Sequence, residues 1–286
     1  MGRIPDRIYL TLGGGLGDVL YTYFKGENGW KWLSPLKEIA PRTRVSVLSS
    51  THNPQTEELI KHNPHIDSFK EFGWVENGRE LWEKNKGPAV HIREIKKSLK
   101  KISTPKNTKL YLSDSDREEV RKVISQGEFV FIHPFAGLKF RQCLPIEEYI
   151  PIIDQLIDDL GYNVVMMGAT HNRINFKTTP EMVEEFKYDR DGLFNLVGKT
   201  NARVAVRLSQ LAHSFIGCWS VYSCAFWIKR GKTTVIITPK LEDQINKRFK
   251  PNGRWHTRGD CRVILVDETK GYDKIKDQIL SRYREG

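Results

Sequence analysis

The sequence is poor in cysteine. Its four cysteines, Cys143, Cys218, Cys224 and Cys261, show no C-x-x-C spacing. That argues against a disulfide framework and a paired-ligand zinc site, and fits reduced thiols in a cytosolic compartment. Long apolar runs are missing too: none approaches the about 18–20 residues of a membrane helix. Met1–Arg7 contains no apolar leader, and Asp6 breaks the myristoylation pattern that Met1-Gly2 opens. The common nucleotide fingerprints are incomplete. No Gly-Lys-Ser/Thr follows the one glycine-rich turn. Asp18 stands where G-x-G-x-x-G needs its third glycine, and Glu38 lies in a helical segment rather than at the end of a second strand. No zinc finger, RNP motif or helix-turn-helix signature is present, which argues against nucleic acid as a partner.

What the chain does have is length, charge and punctuation. Its 286 residues allow two α/β domains with sizeable cores, and 39% hydrophobic residues with a mean hydropathy of −0.50 describe a soluble, rather polar protein. The net charge is +11, with basic clusters at 93–109 and 247–258. Nucleic acid, an anionic membrane surface and phosphorylated small molecules compete to explain it, against a merely solvated basic face.

The punctuation is densest at Leu10–Tyr21, where an apolar strand runs into Gly13, Gly14, Gly15 and Gly17, then Asp18, then an apolar pattern. Glycine permits positive φ and close approach to a ligand, and a helix N-terminus favours an anion. Asp18 would stand at the carboxyl end of a strand, where α/β proteins place chemistry. The plainer reading is a tight turn in which Asp18 caps the helix.

Strands are expected at Ile8–Leu10, Arg44–Ser49, Ser68–Trp74 and Ala89–Ile92, with helices at 19–24, 30–39 and 51–63. Ser113–Ser125 reads as a helix with acids in its first turn and bases in its last. The second half restarts the alternation with strands at Phe129–His133, Asn163–Gly168, Leu193–Gly198, Phe215–Gly217 and Lys232–Thr238, and helices at Glu147–Leu160, Ala202–Ala212, Ser220–Ile228 and Asp273–Arg284. Strand–helix alternation implies parallel sheets. The expected organisation is two α/β domains, 1–115 and 116–286, with a ligand cleft between them and the last helix crossing back onto the first domain.

Several segments resemble glycosyltransferase family 9, which includes the ADP-heptose lipopolysaccharide heptosyltransferases. F-I-H-P-F-A-G at 131–137, K-F-R-Q-C-L-P at 139–145 and Glu147–Tyr149 look like its H-P-G-A-x…K-x-W-P-x-E-x-[FY] segment. V-V-M-M-G (164–168), N-L-V-G-K-T (195–200) and I-G-C-W-S-V-Y-S-C-A (216–225) follow in the family's order, and G-L-G-D-V-L-Y-T (15–22) is similar to its G-D element. The resemblance implies a GT-B architecture of two Rossmann-like domains, with the acceptor on the N-terminal domain and the donor on the C-terminal one. It implies inverting transfer from a nucleotide-sugar donor to a saccharide acceptor, lipid-linked or not, without a bound metal or further cofactor. Asp18 takes the general-base role, beside the Gly14, Gly15 and Gly17 loop.

Transfer needs a base for the acceptor hydroxyl and positive charge on the leaving diphosphate. Lys139 and Arg141, after the strand 129–133, are candidates for that clamp, or else surface charges. Ser220, Val221 and Tyr222 would offer helix N–H groups to a phosphate, or Ser220 is an ordinary cap. Lys199 and Thr200 carry the same two readings. His133 is expected to satisfy a backbone group, Ala169–Arg173 is placed to touch a nucleoside, and Trp219 stacks on a ligand or fills core.

The chain departs from the family at 219–224, where Trp219, Ser220, Val221 and Cys224 replace a D-[ST]-G-x-x-H element, and at Cys143-Leu144-Pro145, where a tryptophan is missing. The alternatives are a non-catalytic relative that binds a nucleotide or glycan, and a basic protein that binds an anionic polymer or membrane.

Overall fold

The computed structural model describes residues 4–12, 23, 27–49, 54–71, 78–102, 104, 106, 109–134, 144–168, 187–220, 232–239, 242–243, 261–266 and 271–284. The chain divides between Ser113 and Asp114 into two compact units.

The first unit holds a four-stranded parallel sheet: β1 (Arg7–Leu12), β2 (Arg44–Ser49), β3 (Ser68–Glu71) and β4 (Val90–His91), in the order β3-β2-β1-β4. A 3-10 segment, Glu27–Trp32, leads into α1 (Leu33–Ile39); α2 (Pro54–Ile60), α3 (Gly78–Lys86) and α4 (Lys96–Ile102) follow. In β1 and β2, Ile8, Leu10, Leu12, Val45, Val47 and Leu48 are buried, as expected for a sheet covered on both faces. Trp30 and Trp32 are fully buried. Tyr23 packs against Trp30 at 4.9 Å, donates its hydroxyl to the Lys109 carbonyl and accepts from Asn63 Nδ2.

The second unit holds a six-stranded parallel sheet of order β10-β9-β8-β5-β6-β7: β5 (Phe129–His133), β6 (Asn163–Met166), β7 (Leu193–Asn195), β8 (Ser214–Cys218), β9 (Lys232–Ile237) and β10 (Cys261–Leu265). Its helices among the described residues are α5 (Asp114–Ile124), α6 (Ile150–Asp158), α7 (Ala202–Leu211) and α8 (Asp273–Arg284). The expected continuous helix 147–160 is instead a 3-10 turn, Ile146–Tyr149, followed by α6. Pro151 lacks an N–H and fits only a helix's first turn, so the α-helix starts beside it. Ile152, Ile153 and Leu156 of α6 are fully buried, each removing roughly 1.5–3 kcal/mol of apolar exposure. The terminal helix α8 packs on α6 and β10 within this unit. Its Tyr283 hydroxyl pairs with Ser214 Oγ at 2.7 Å, and Arg282 donates to the Thr233 carbonyl at 2.6 Å.

An ion pair ties α5 to α7. Arg203 donates through Nε to Asp116 Oδ2 at 2.7 Å and through Nη2 to Oδ1 at 3.1 Å, and Asn201 Nδ2 donates to the same carboxylate at 2.7 Å. Both charged side chains are buried.

Among the described residues, no helix is long and apolar enough to cross a membrane.

Candidate functional site

In parallel sheets every strand delivers its carboxyl end to the same edge, and the loops there are the natural place for chemistry. In the first unit, β1 ends at Leu12, directly before the glycine stretch. Gly14, Gly15, Gly17 and Asp18 themselves lie outside the described residues. What is placed beside that edge is His91, at the end of β4, paired in register with Tyr9 of β1. The Arg93 N–H donates to His91 Nδ1 at 3.0 Å, so the ring's proton sits on Nε2, which faces Thr11 Oγ1 at 3.4 Å. Tyr9 meets the His91 ring edge-on at 4.9 Å. Burial, helped by the Arg93 charge, pushes the imidazole down to about 4, so His91 is neutral at physiological pH. The sequence reading missed His91 and Thr11, since a two-residue strand ending in histidine carries no motif.

In the second unit, β5 ends at His133. Its Nδ1–H donates to the Met167 carbonyl at 2.7 Å, and complete burial holds the ring down to about 4. His133 thus satisfies a backbone group of the neighbouring β6 end. Next to it, Gly217 of β8 has φ +153, and a Cβ there would meet the His133 carbonyl oxygen at 2.1 Å. Only glycine lets β8 and β5 close at this point. Cys218 Sγ donates to the Pro134 carbonyl at 3.0 Å. The edge is therefore tied together at Pro134; Lys139 and Arg141 lie outside the described residues.

Lys199 and Thr200 follow β7 at the same edge. The Lys199 ammonium donates to the Asn195 carbonyl at 2.9 Å, and Thr200 Oγ1 approaches Met167 Sδ at 3.9 Å. The turn is drawn against β6 by the Gly198 N–H, which donates to the Gly168 carbonyl at 2.7 Å. The helix start behind it is capped from within: Asn201 Oδ1 accepts from Arg203 N at 2.9 Å and Val204 N at 3.1 Å. The cap is legible as an Asn before an apolar-periodic run, but was not read. Ser220 lies half-buried just past β8, and Trp219 packs against the apolar core of this unit. Val221, Tyr222 and Ala169–Arg173 lie outside the described residues. β8 and β7 are separated by β5 and β6, so the Ser220 and Lys199 loops start roughly 14 Å apart along the edge.

No protein-family model matches the chain, and no curated protein matches it. Solved structures do match over nearly its whole length. ADP-heptose LPS heptosyltransferase II of E. coli superposes with a TM-score of 0.57 at 14% identity, covering 98% of this chain and 99% of that one. A family 9 glycosyltransferase from Veillonella parvula gives 0.55 at 12% identity, covering 98% and 92%. E. coli heptosyltransferase WaaC, solved with ADP, gives 0.54 at 10% identity, covering 98% of each. The two parallel sheets of this chain thus have the fold of the glycosyltransferase family 9 heptosyltransferases, at a sequence distance that family models do not span.

Proposed function

We propose that this chain is a divergent family 9-like glycosyltransferase of GT-B architecture, moving a sugar from a nucleotide-sugar donor to a saccharide or other hydroxyl acceptor. The observation that carries the reading is the whole-length fold likeness to heptosyltransferases, one of them holding ADP, joined to motifs in the family's order in both units. In this reading Asp18 takes the acceptor hydroxyl proton as its oxygen attacks the anomeric carbon from the face opposite the leaving group. The bond from that carbon to the diphosphate oxygen breaks, and the configuration inverts. The departing nucleoside diphosphate gathers negative charge, and Lys139, Arg141 and the loop bearing Lys199 and Thr200 are the assigned stabilisers, with Ser220, Val221 and Tyr222 behind the phosphate. Neither step calls for a metal ion or further cofactor.

A thermal-shift screen against ADP, GDP, UDP, CMP and their common sugars tests this. A ligand at 100 times its Kd adds about 2.7 kcal/mol of stability. The expected result is a selective upward shift with one nucleotide, lost in Arg141→Ala, and turnover lost in Asp18→Asn while the shift survives. No shift with any nucleotide overturns the donor assignment. That outcome favours the second reading, a non-catalytic relative, which the replaced donor element at 219–224 supports.

A further inference from the structure

Five basic side chains on or just after the helices have a carboxylate beside them; Lys84, Lys122 and Lys274 are exposed singly, and one helix gathers four exposed lysines together. At the end of α2, Lys61 pairs with Glu58; in α3, Lys86 pairs with Glu83; in α5, Arg117 pairs with Asp114 and Arg121 with Glu118; in α8, Lys276 pairs with Asp273. Each pair is spaced i, i+3, the arrangement that places opposite charges side by side on a helix. Helix α4, Lys-Lys-Ser-Leu-Lys-Lys-Ile, has nothing of the kind. Lys96, Lys97, Lys100 and Lys101 are all exposed, and among the described residues none has a carboxylate partner. From 95 to 113 the chain contains six lysines and no acidic residue.

The arrangement opposes the helix's own stability in two ways. Lys96 and Lys100, and Lys97 and Lys101, are like charges at i, i+4, which repel. Lys96 and Lys97 sit in the first turn, where the helix dipole is positive; no acid lies in that turn, and Glu94 just before it is the one nearby carboxylate in the sequence. At 100° per residue the four lysines share one side, while Leu99, completely buried, faces the other. Arg93, exposed just before the helix, extends the row. Local rules broken together with no compensating contact among the described residues point to a compensating partner outside the fold.

We propose that α4 is the docking face of this protein for an anionic lipid bilayer. The chemistry favours a membrane over a nucleic acid. The row is lysine, a flexible point charge that conforms to a fluid array of headgroups, where a defined phosphate selects the bidentate arginine fork. No aromatic residue lies between 95 and 110 to stack a base. Clusters of this size on a helix face are what anionic leaflets attract. Leu99, the apolar side chain described in α4, is committed to the protein interior and is not available to insert. Docking is electrostatic and reversible by salt.

The test uses the full chain, without nucleotide or acceptor, so its outcome is independent of the proposed glycosyl transfer. Co-sedimentation is measured with phosphatidylcholine vesicles and with vesicles holding about 30% phosphatidylglycerol. Binding is expected only to the second and is released by about 0.5 M NaCl, where the Debye length is a few ångströms. Each lysine near such a surface contributes about fivefold, so K96Q/K97Q/K100Q/K101Q weakens partitioning by 100-fold or more, while the matching lysine-to-arginine variant retains it. The glutamine variant melts no lower than the parent, because a repulsion has been removed. A control with the same four charges removed from paired positions, K61Q/K86Q/R117Q/K276Q, loses less than tenfold. Equal loss in both variants, undiminished binding in the first, or no binding to anionic vesicles overturns the proposal. So does binding to polyphosphate or an RNA homopolymer, lost in the first variant, while vesicles are ignored.

Discussion

Removing one half of the Asp116–Arg203 pair destabilises the second unit far more than removing both. The two side chains are 2% and 4% exposed, and Asn201 completes the carboxylate's hydrogen bonding while capping α7. In Arg203→Leu the carboxylate stays buried with its countercharge gone, a loss of about 3–5 kcal/mol. For a unit of this size that lowers Tm by roughly 6–20 °C. Asp116→Met takes the carboxylate from the buried guanidinium and costs about as much. In the double variant no buried charge remains, and the cost falls well below the sum of the singles, because the desolvation penalty of both ions disappears with their attraction. Urea unfolding followed by far-UV circular dichroism measures all three. If either single variant costs less than about 1 kcal/mol, or if the double equals the sum, the pair is not the uncompensated-charge switch that its burial implies.

Other consequences follow from glycines, histidines and a buried hydroxyl pair in the two units. Gly217→Ala forces a Cβ to within 2.1 Å of the His133 carbonyl and should prevent soluble folding, whereas Gly87→Ala, with φ +57 and open space around it, costs about 1–2 kcal/mol in a melting experiment. His133 and His91 are both held down to about 4 when folded, below the roughly 6.5 of an unfolded imidazole. The unfolded chain therefore binds more protons between about pH 4 and 6.5, and stability falls as pH drops through that window. His133→Asn, which keeps a donor for the Met167 carbonyl, should flatten the slope of unfolding free energy against pH; an unchanged slope refutes the assignment. Tyr283→Phe removes the bond to buried Ser214 and costs about 1 kcal/mol in the same urea assay.

Periodicity by itself determined most of the element order. F-V-F-I-H is buried along its length and R-V-S-V-L-S at Val45 and from Val47 to Ser49, and both read as strands because both faces of a parallel sheet are covered. The alternation with amphipathic helices then required parallel sheets. Three described elements escaped, among them α3, whose residues Gly78–Lys86 are almost wholly polar. β10, C-R-V-I-L, is a short edge strand flanked by polar residues, and α4 reads as a run of charge until Leu99 is seen to be buried.

The tertiary structure alone decided which side chains meet. Asp116 and Arg203 lie 87 residues apart, Cys218 and Pro134 84, Thr11 and His91 80. No local pattern encodes such pairings, because they depend on the order of strands in each sheet and on which helix start lies beside which. The same holds for His133, whose role follows from β6 lying beside β5, and for Lys199, whose ammonium turns back to its own loop. Sequence names the residue types that chemistry needs. Distance and burial, set by packing, assign each one to the backbone, to a partner or to solvent.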